Sequence, residues 1–500
     1  MDDLPLVQSE QERSDAPKLR RNLSIWEAIG VSVALMAPSM AVNINPQGTA
    51  LLVGRAVPLT FALATFGVLL IAYTFVRLCQ RFNHSGSVYG FVGATLGPRA
   101  GAFSGWAMAG TYMFFGCVTT MAAGIFLTNE ISTLGIWRGA PLWLGFLIGG
   151  VLLALVWFLA TQPAKGGTRL LLIIESVTVA LILIVTIVIL VKLLNGTAPQ
   201  GRSFDLSVFA VAPGTDISDV FLGVVFGFLS FAGFEAAATL GEEARQPRKD
   251  IPRAILGTAI FGGVYFVVVT AVEVMGFGAG PAGIKAFTTS GSLVGDLSTE
   301  YVAAWLGHVI TLGATISAVA CALASVVGAS RLVFALSRDG LGPASLKAVS
   351  VKHGVPSRAV GAVSIAIYIA IAITWFGVRG NPSDLFIASG TAGTLILLVA
   401  YVLATIGAIK LLFFSGERHV RVWEIVIPIL GLIVLGYTLL RNIYPFPEGA
   451  AWWGPGLAIG WLVVNIIVVL ARPGAAQRAG ELLTHSEGLA EAPPASADVR

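Results

Sequence analysis

Two acidic residues stand inside long apolar stretches of this chain: Glu235, in the run 220–241, and Glu175, in the run 170–191. A carboxylate at the centre of a bilayer costs roughly 2.5–3.5 kcal/mol on insertion scales, so it is kept only where it pairs, faces water or is protonated. Glu235 therefore reads as a site for a cation, an amine or a proton, or as a protonated carboxyl bonded to frayed backbone. Glu175 lies six residues past Arg169, about 9 Å deeper along a helix. It is either a coupling residue or the partner of that arginine. Glu27 and Glu273 sit at run boundaries, where a solvated or interfacial carboxylate is the default.

The uncharged chemistry of such a chain comes from its backbone. A helix in lipid must satisfy its own polar groups, so Pro or Gly clusters at mid-depth are tolerated only where they are buried in protein or line a cavity. Two stretches carry such clusters: 29–41, with Pro38 removing a backbone donor near its middle, and 223–235, with Gly223, Gly227, Ser230, Gly233 and Glu235. They fall in the first and sixth apolar runs, matching positions in two five-helix halves. Matched interruptions point to a transporter built from inverted repeats. The plainer alternative is a kinked helix at Pro38 and close helix packing at Gly227 and Gly233.

The elements that would position these groups follow from composition. Of 500 residues, 56% are apolar and only 12% charged, whereas soluble domains carry about a quarter charged residues. A soluble enzyme, a disordered chain and an anchor with a large globular cargo are all excluded. At about 20 residues per crossing, the apolar content supplies roughly a dozen spans. The reading gives twelve: 28–54, 56–76, 100–129, 139–164, 170–191, 220–241, 254–272, 301–330, 359–378, 385–409, 425–440 and 449–471. Trp423 and Tyr437 flank the shortest in the manner of an interfacial aromatic belt. With the N-terminus in the cytosol, 24 of the 31 Lys and Arg residues fall on the cytoplasmic side, the bias that orients membrane proteins. The domain reading is a cytoplasmic tail over 1–24, a transporter domain over 25–471 and a disordered cytoplasmic tail over 472–500. The first 24 residues lack the apolar core of a signal peptide.

Other chemistries find no residues to carry them. Cys79, Cys117 and Cys321 are widely spaced and imply no disulfide or metal set. The five histidines are scattered, there is no H-E-x-x-H, and no G-x-x-x-x-G-K-[ST] loop for an ATP-driven pump. The net charge of +4 is spread along the chain rather than gathered into a nucleic-acid footprint. A channel would repeat a filter motif around an axis, and none is visible.

Three stretches resemble the amino acid, polyamine and organocation (APC) superfamily of permeases. They are Ser85–Phe91 followed by Gly97–Trp106; Phe231–Glu235 with Gly241–Pro247 and Ile251–Ile255; and Ala329–Gly340. The resemblance spans about residues 20–470. It implies an all-α fold with a five-plus-five inverted repeat and two further helices, with substrate held between the two breaks. The substrate carboxylate would meet N–H groups freed in the first break, and its amine carbonyls freed in the sixth. Helix ends carry opposite partial charges, so such breaks can bind an α-amino acid's two charges without an ionised side chain. That places the pocket at Ala37, Pro38, Ser39 and Met40 facing Phe231, Ala232, Gly233 and Phe234, with Phe231 or Phe234 as an aromatic gate. Ala37-Pro38-Ser39 departs from the Gly-small-Gly triplet of many such permeases and offers one fewer N–H. Span five has no lysine before Lys192 to stand in for sodium.

The expectation is a secondary transporter in the plasma membrane, both termini cytoplasmic, importing a small amino acid or related amine by alternating access. Its partners are that substrate and the lipid bilayer, with no nucleic acid, cofactor or metal. The coupling ion is a proton, handled by Glu235 and Glu175; sodium, held by hydroxyls of Ser317, Ser325 or Ser330, is the other choice. Rival readings are a polyamine or amine carrier, an exchanger, and, from another class, a channel or a membrane-embedded receptor or enzyme.

Overall fold

The computed structural model describes residues 24–82, 87–162, 167–240, 244–350, 354–415 and 420–486. Among these residues there are helices and no strand. The expected cytoplasmic tail over 1–24 lies outside them apart from Ser24. That serine starts the first helix: its hydroxyl accepts from the Glu27 N–H while the Glu27 carboxylate accepts from the Ser24 N–H, a reciprocal capping box. Glu27 is exposed, as expected, and also serves as this cap.

The first two apolar runs form three helices. Helix α1 (Ile25–Met36) ends at Ala37, which takes a left-handed conformation at φ 45°, ψ 56°. Helix α2 (Pro38–Val53) restarts at once, with Pro38 at its first turn, where a missing N–H costs nothing. Helix α3 (Val57–Arg81) then turns back after Gly54. Next come α4 (Val88–Leu96), α5 (Pro98–Thr133), α6 (Leu144–Ala160) and α7 (Gly167–Leu194). Helix α8 (Ile217–Phe231) gives way to turns over 232–235 and a 3₁₀ segment, Ala236–Leu240. Helix α9 (Pro247–Phe277) is followed by a short hairpin, α10 (Pro281–Thr289) and α11 (Leu293–Tyr301), then by α12 (Ala304–Arg338) and α13 (Ser357–Ala372). The chain continues through α14 (Pro382–Phe413), α15 (Val426–Ile443), α16 (Trp453–Ala471) and α17 (Pro473–Ser486). The tail expected to be disordered from 472 onward therefore begins with a helix, whose Ala476 and Ala479 are buried with Ala102 and Leu336; residues 487–500 lie outside the described residues.

Among the described residues ten helical stretches are long and apolar enough to cross a membrane, the first being the composite Ile25–Arg81; Leu144–Ala160 is a shorter apolar helix. Helix α9 shows how each divides its faces. Leu256, Ile260, Val264 and Val268 form an exposed apolar stripe at helical spacing, while every residue from Val269 to Phe277 is buried. A stripe of that kind suits lipid, and the opposite face packs inward.

The hairpin α10–α11 is fixed to α2 by side chains that the span reading passes over. Asn43 Oδ1 accepts from the Ser292 hydroxyl at 2.8 Å and from the N–H groups of Val294 and Gly295, at 3.0 and 3.3 Å. Its Nδ2 donates to the Ser39 carbonyl at 2.8 Å. Gln47 donates to the carbonyls of Phe287 and Ser290. Asn43 is fully buried, so Asn43→Ala strands two backbone donors at the start of α11 and costs about 1–3 kcal/mol. The expected result is a lower melting temperature in detergent, together with faster labelling of a cysteine placed in the hairpin.

Candidate substrate and coupling site

The two interrupted helices meet. Gly233 adopts φ 102°, a region that glycine enters without penalty, and the Ser32 hydroxyl of α1 accepts from the Ala237 N–H at 2.9 Å. On the other side of the break, Asn45 of α2 donates to the Ser230 hydroxyl at 2.8 Å. Gly48 of α2 lies flat against the Phe226 ring, where a β-carbon would stand 2.6 Å from it. The first half of the first interrupted helix is thus bonded to the second half of the other, and its second half to the other's first.

Between them is a narrow cavity of ≈ 40 Å³ in this conformation, room for a few water molecules. Its walls are mostly apolar: Leu35, Met36 and Met40 from the first break, Met108 and Phe115 from α5, and Leu229 and Ala232 from the second. The polar groups are Thr111, Tyr112 and Thr119 of α5, Cys321 and Ser325 of α12, and Glu235. Glu235 is the only formally charged group on the wall, and no Lys or Arg borders it. It is buried, its Oε2 has no hydrogen-bond partner, and the Tyr401 hydroxyl of α14 lies beside the carboxyl without closing a bond to it.

Of the residues expected to bind substrate, Met40, Ala232 and Gly233 border this cavity, as does Ser325, considered for sodium; Ala37, Pro38 and Ser39 do not border it. Neither expected gate ring reaches the wall in this conformation. Phe231 packs edge-on against Phe266, and Phe234 lies between Phe75 and Tyr401. The aromatic residues on the wall are Tyr112 and Phe115 of α5, which the sequence reading does not single out. Their signal is a run of polar and aromatic residues, Thr111, Tyr112, Phe115 and Thr119, on one face of a largely buried helix.

Glu175 of α7 is buried at the first break, where its Oε1 accepts the Ser39 N–H at 2.9 Å. Because Pro38 has no N–H, this is the first donor that α2 offers, so the carboxylate caps a positive helix end. The hydroxyls of Ser39 and Ser317 lie next to the carboxyl without hydrogen-bond partners of their own. The side chain of Arg169, the other partner considered for Glu175, lies outside the described residues. The three hydroxyls considered for sodium stand at different levels of α12: Ser317 beside Glu175, Ser325 on the cavity, and Ser330 donating to the Val326 carbonyl at 2.5 Å. Among the described residues no group of His, Cys, Asp and Glu is arranged to hold a metal ion.

The amino acid permease family matches residues 24–476. The branched-chain amino acid permease BcaP of Bacillus subtilis is 25% identical over 350 residues, 67% of this chain and 69% of that protein. The low-affinity putrescine importer PlaP of Escherichia coli K12 is 25% identical over 333 residues, 66% of this chain and 69% of the importer. An uncharacterized transporter of Mycobacterium tuberculosis is 28% identical over 475 residues, covering 93% of this chain and 96% of its own length. The chain belongs to the amino acid permease family.

Proposed function

With that membership as the premise, we propose that the chain is a secondary transporter that imports a small amino acid or related amine by alternating access, coupled to protons at Glu235 and Glu175. The observation that carries this reading is the cavity itself, bordered by both helix breaks and holding one buried carboxyl, Glu235. The carbonyls of Ala232 and Phe234, to which no backbone N–H in the break donates, and the acid beside them suit a substrate ammonium group, and α5 and α12 supply the remaining wall. Twelve crossings are proposed: the stretch Ile25–Arg81 counts twice, Leu144–Ala160 once, and the other nine candidates once each. A five-plus-five repeat places α1–α2 and α8 with its 3₁₀ segment at equivalent positions. Both termini lie in the cytosol, consistent with the Lys and Arg bias, and the membrane is the plasma membrane.

A second reading is favoured by one contact. The Ser39 N–H, the donor that an α-amino acid's carboxylate would seek, is already taken by Glu175, and no cation borders the cavity. A substrate with amines and no carboxylate fits that charge pattern better than a zwitterion. The name of the putrescine importer points the same way, that of the branched-chain permease the other.

Uptake of labelled leucine, alanine, putrescine and spermidine into proteoliposomes, with and without an inward acid gradient, separates the two. The expected result is gradient-stimulated uptake of at least one of these, with amines outrunning zwitterions if the Ser39–Glu175 bond persists through the cycle. Transport of none of them, nor of a wider amino acid and amine panel, overturns the reading.

A further inference from the structure

Where the turn before α6 meets the end of α13, the structure has a second, open cavity of ≈ 430 Å³, within the range of small-ligand sites. Leu142, Trp143, Trp375, Arg379, Gly380 and Asn381 line it. Its aromatic wall is a stack of rings. Trp143 lies nearly parallel to Trp375 with centroids 6.0 Å apart, and Trp375 stacks on Phe146 at 5.7 Å and on Phe376 at 4.6 Å. Trp375 and Phe376 belong to a π-helical turn, Ile373–Gly377, that closes α13; such turns are rare and frequently mark functional sites. The loop that follows is fixed to this turn, because the N–H groups of Val378 and Gly380 donate to the carbonyls of Ile373 and Thr374, each at 2.9 Å. The two helices are tied together lower down, where the Tyr368 hydroxyl donates to the Gly150 carbonyl at 2.6 Å.

The chemistry of the wall is one-sided. Arginine and tryptophan side chains donate hydrogen bonds and accept none, and no acid borders the cavity. Arg379 is exposed and, among the described residues, makes no ion pair or hydrogen bond. Asp384, in the first turn of α14, is engaged there: its Oδ2 accepts the Asn381 N–H at 2.7 Å. The wall therefore complements an anion rich in acceptors, and the planar fork of a guanidinium suits a phosphate.

Two exposed apolar stripes lead to this cavity. On α6, Leu147, Val151 and Leu155 begin one turn beyond Trp143; on α13, Ile365, Ile369 and Ile373 end at the π-helical turn. Exposed Leu142 and Phe376 carry the apolar surface up to the rim. A free phosphate would leave this surface bare, whereas a phospholipid covers it with acyl chains while its headgroup meets Arg379. An interfacial aromatic belt needs only rings at the membrane boundary; here the rings stack on one another around a cavity that also holds an unpaired cation.

We propose that this cavity binds the headgroup of an anionic phospholipid, whose phosphate pairs with Arg379 beside the Trp143–Trp375 stack and whose acyl chains lie along the two stripes. The site shares no lining residue with the substrate cavity, and it stands whatever the substrate or coupling ion. Because the wall carries a cation and no acid for a headgroup ammonium, phosphatidylglycerol binds in preference to phosphatidylcholine.

Native mass spectrometry of the purified full-length protein, with dioleoyl phosphatidylglycerol or dioleoyl phosphatidylcholine added, tests the site. One phosphatidylglycerol is expected to stay bound, and Arg379→Gln is expected to weaken its apparent dissociation constant about tenfold. Arg138 is the control. It too makes no ion pair among the described residues, but its side chain folds over Gly135 and does not border the cavity, so Arg138→Gln should bind as the wild type does. Arg379 adopts φ 55°, which glycine enters without penalty; Arg379→Gly should therefore melt no lower than the wild type in lipid-free detergent and still lose the lipid. That second variant carries the decision should Arg379→Gln not fold. Equal weakening by Arg138→Gln and the Arg379 variants, no weakening by the latter, or equal retention of the two lipids overturns the site. Thermal stabilisation by inorganic phosphate or glycerol 3-phosphate as large as that by phosphatidylglycerol makes the occupant a free phosphate and overturns the lipid assignment.

Discussion

Gly233→Val is expected to abolish uptake while leaving the protein inserted in the membrane. At φ 102° any side chain strains the backbone, at roughly 1–3 kcal/mol for conformations of this kind. A β-carbon there also stands 2.8 Å from the Leu35 β-carbon, with two more Leu35 atoms at 3.0 Å, and overpacking adds about 1–3 kcal/mol. The strain has two outlets. Either the chain over 232–235 rewinds toward a helix and withdraws the freed carbonyls, or Leu35 and the end of α1 move, and Leu35 is itself a wall of the cavity. Both remove the site. Insertion depends on hydropathy and hardly changes, so the variant should reach the membrane at normal abundance with a melting temperature several degrees lower. Gly30→Ala is the control, since a β-carbon at Gly30 meets nothing within 4 Å; it should transport as the wild type does. Uptake by Gly233→Val at the wild-type rate would detach the second break from function.

Glu235→Gln is the second large effect. The amide keeps the shape of the side chain but can neither ionise nor carry a proton. As the sole acid on the cavity wall, Glu235 is the only side chain there that can balance a substrate cation by charge, and a buried charge-assisted contact is roughly twice as strong as a neutral one. Gradient-driven uptake is expected to fall at least about tenfold, the factor carried by 1.4 kcal/mol. Amines should suffer more than zwitterions, whose carboxylate leaves them no net charge to balance. Stability should change little, because Oε2 is unpartnered in the parent and loses no bond. Tyr401→Phe, which removes the adjacent hydroxyl, should produce a smaller change of the same sign. Uptake of putrescine and leucine by Glu235→Gln, each at two pH values and set against purified-protein melting curves, checks all three expectations.

The fold was legible because lipid demands long apolar helices, and no other arrangement hides 56% apolar residues in one chain. Pro38 and Gly233 marked the breaks because each removes an option from the backbone, one a donor and the other a side chain. What escaped the sequence lies where helices meet. The hairpin α10–α11 is short and partly polar, so neither helix shows the length by which crossings are recognised. Glu273 looked interfacial because burial depends on what packs over the end of α9, namely α7 and α11, and no local pattern encodes that. Tyr112 and Phe115 were hidden for the converse reason: α5 is buried on nearly all sides, so periodicity cannot single out the face that borders the cavity. Glu175 was visible as an anomaly, but its partner on Ser39 is 136 positions away, beyond the reach of any spacing rule.

Ser39 is held at both of its backbone groups, its N–H by Glu175 and its carbonyl by Asn43, and Asn43 in turn grips the start of α11. Three consecutive bonds therefore run from a buried acid to a surface hairpin without passing through the substrate cavity. If Glu175 takes up a proton, as the proposed function has it, the charge-assisted bond to Ser39 weakens, and the same three bonds carry that change to the start of α11.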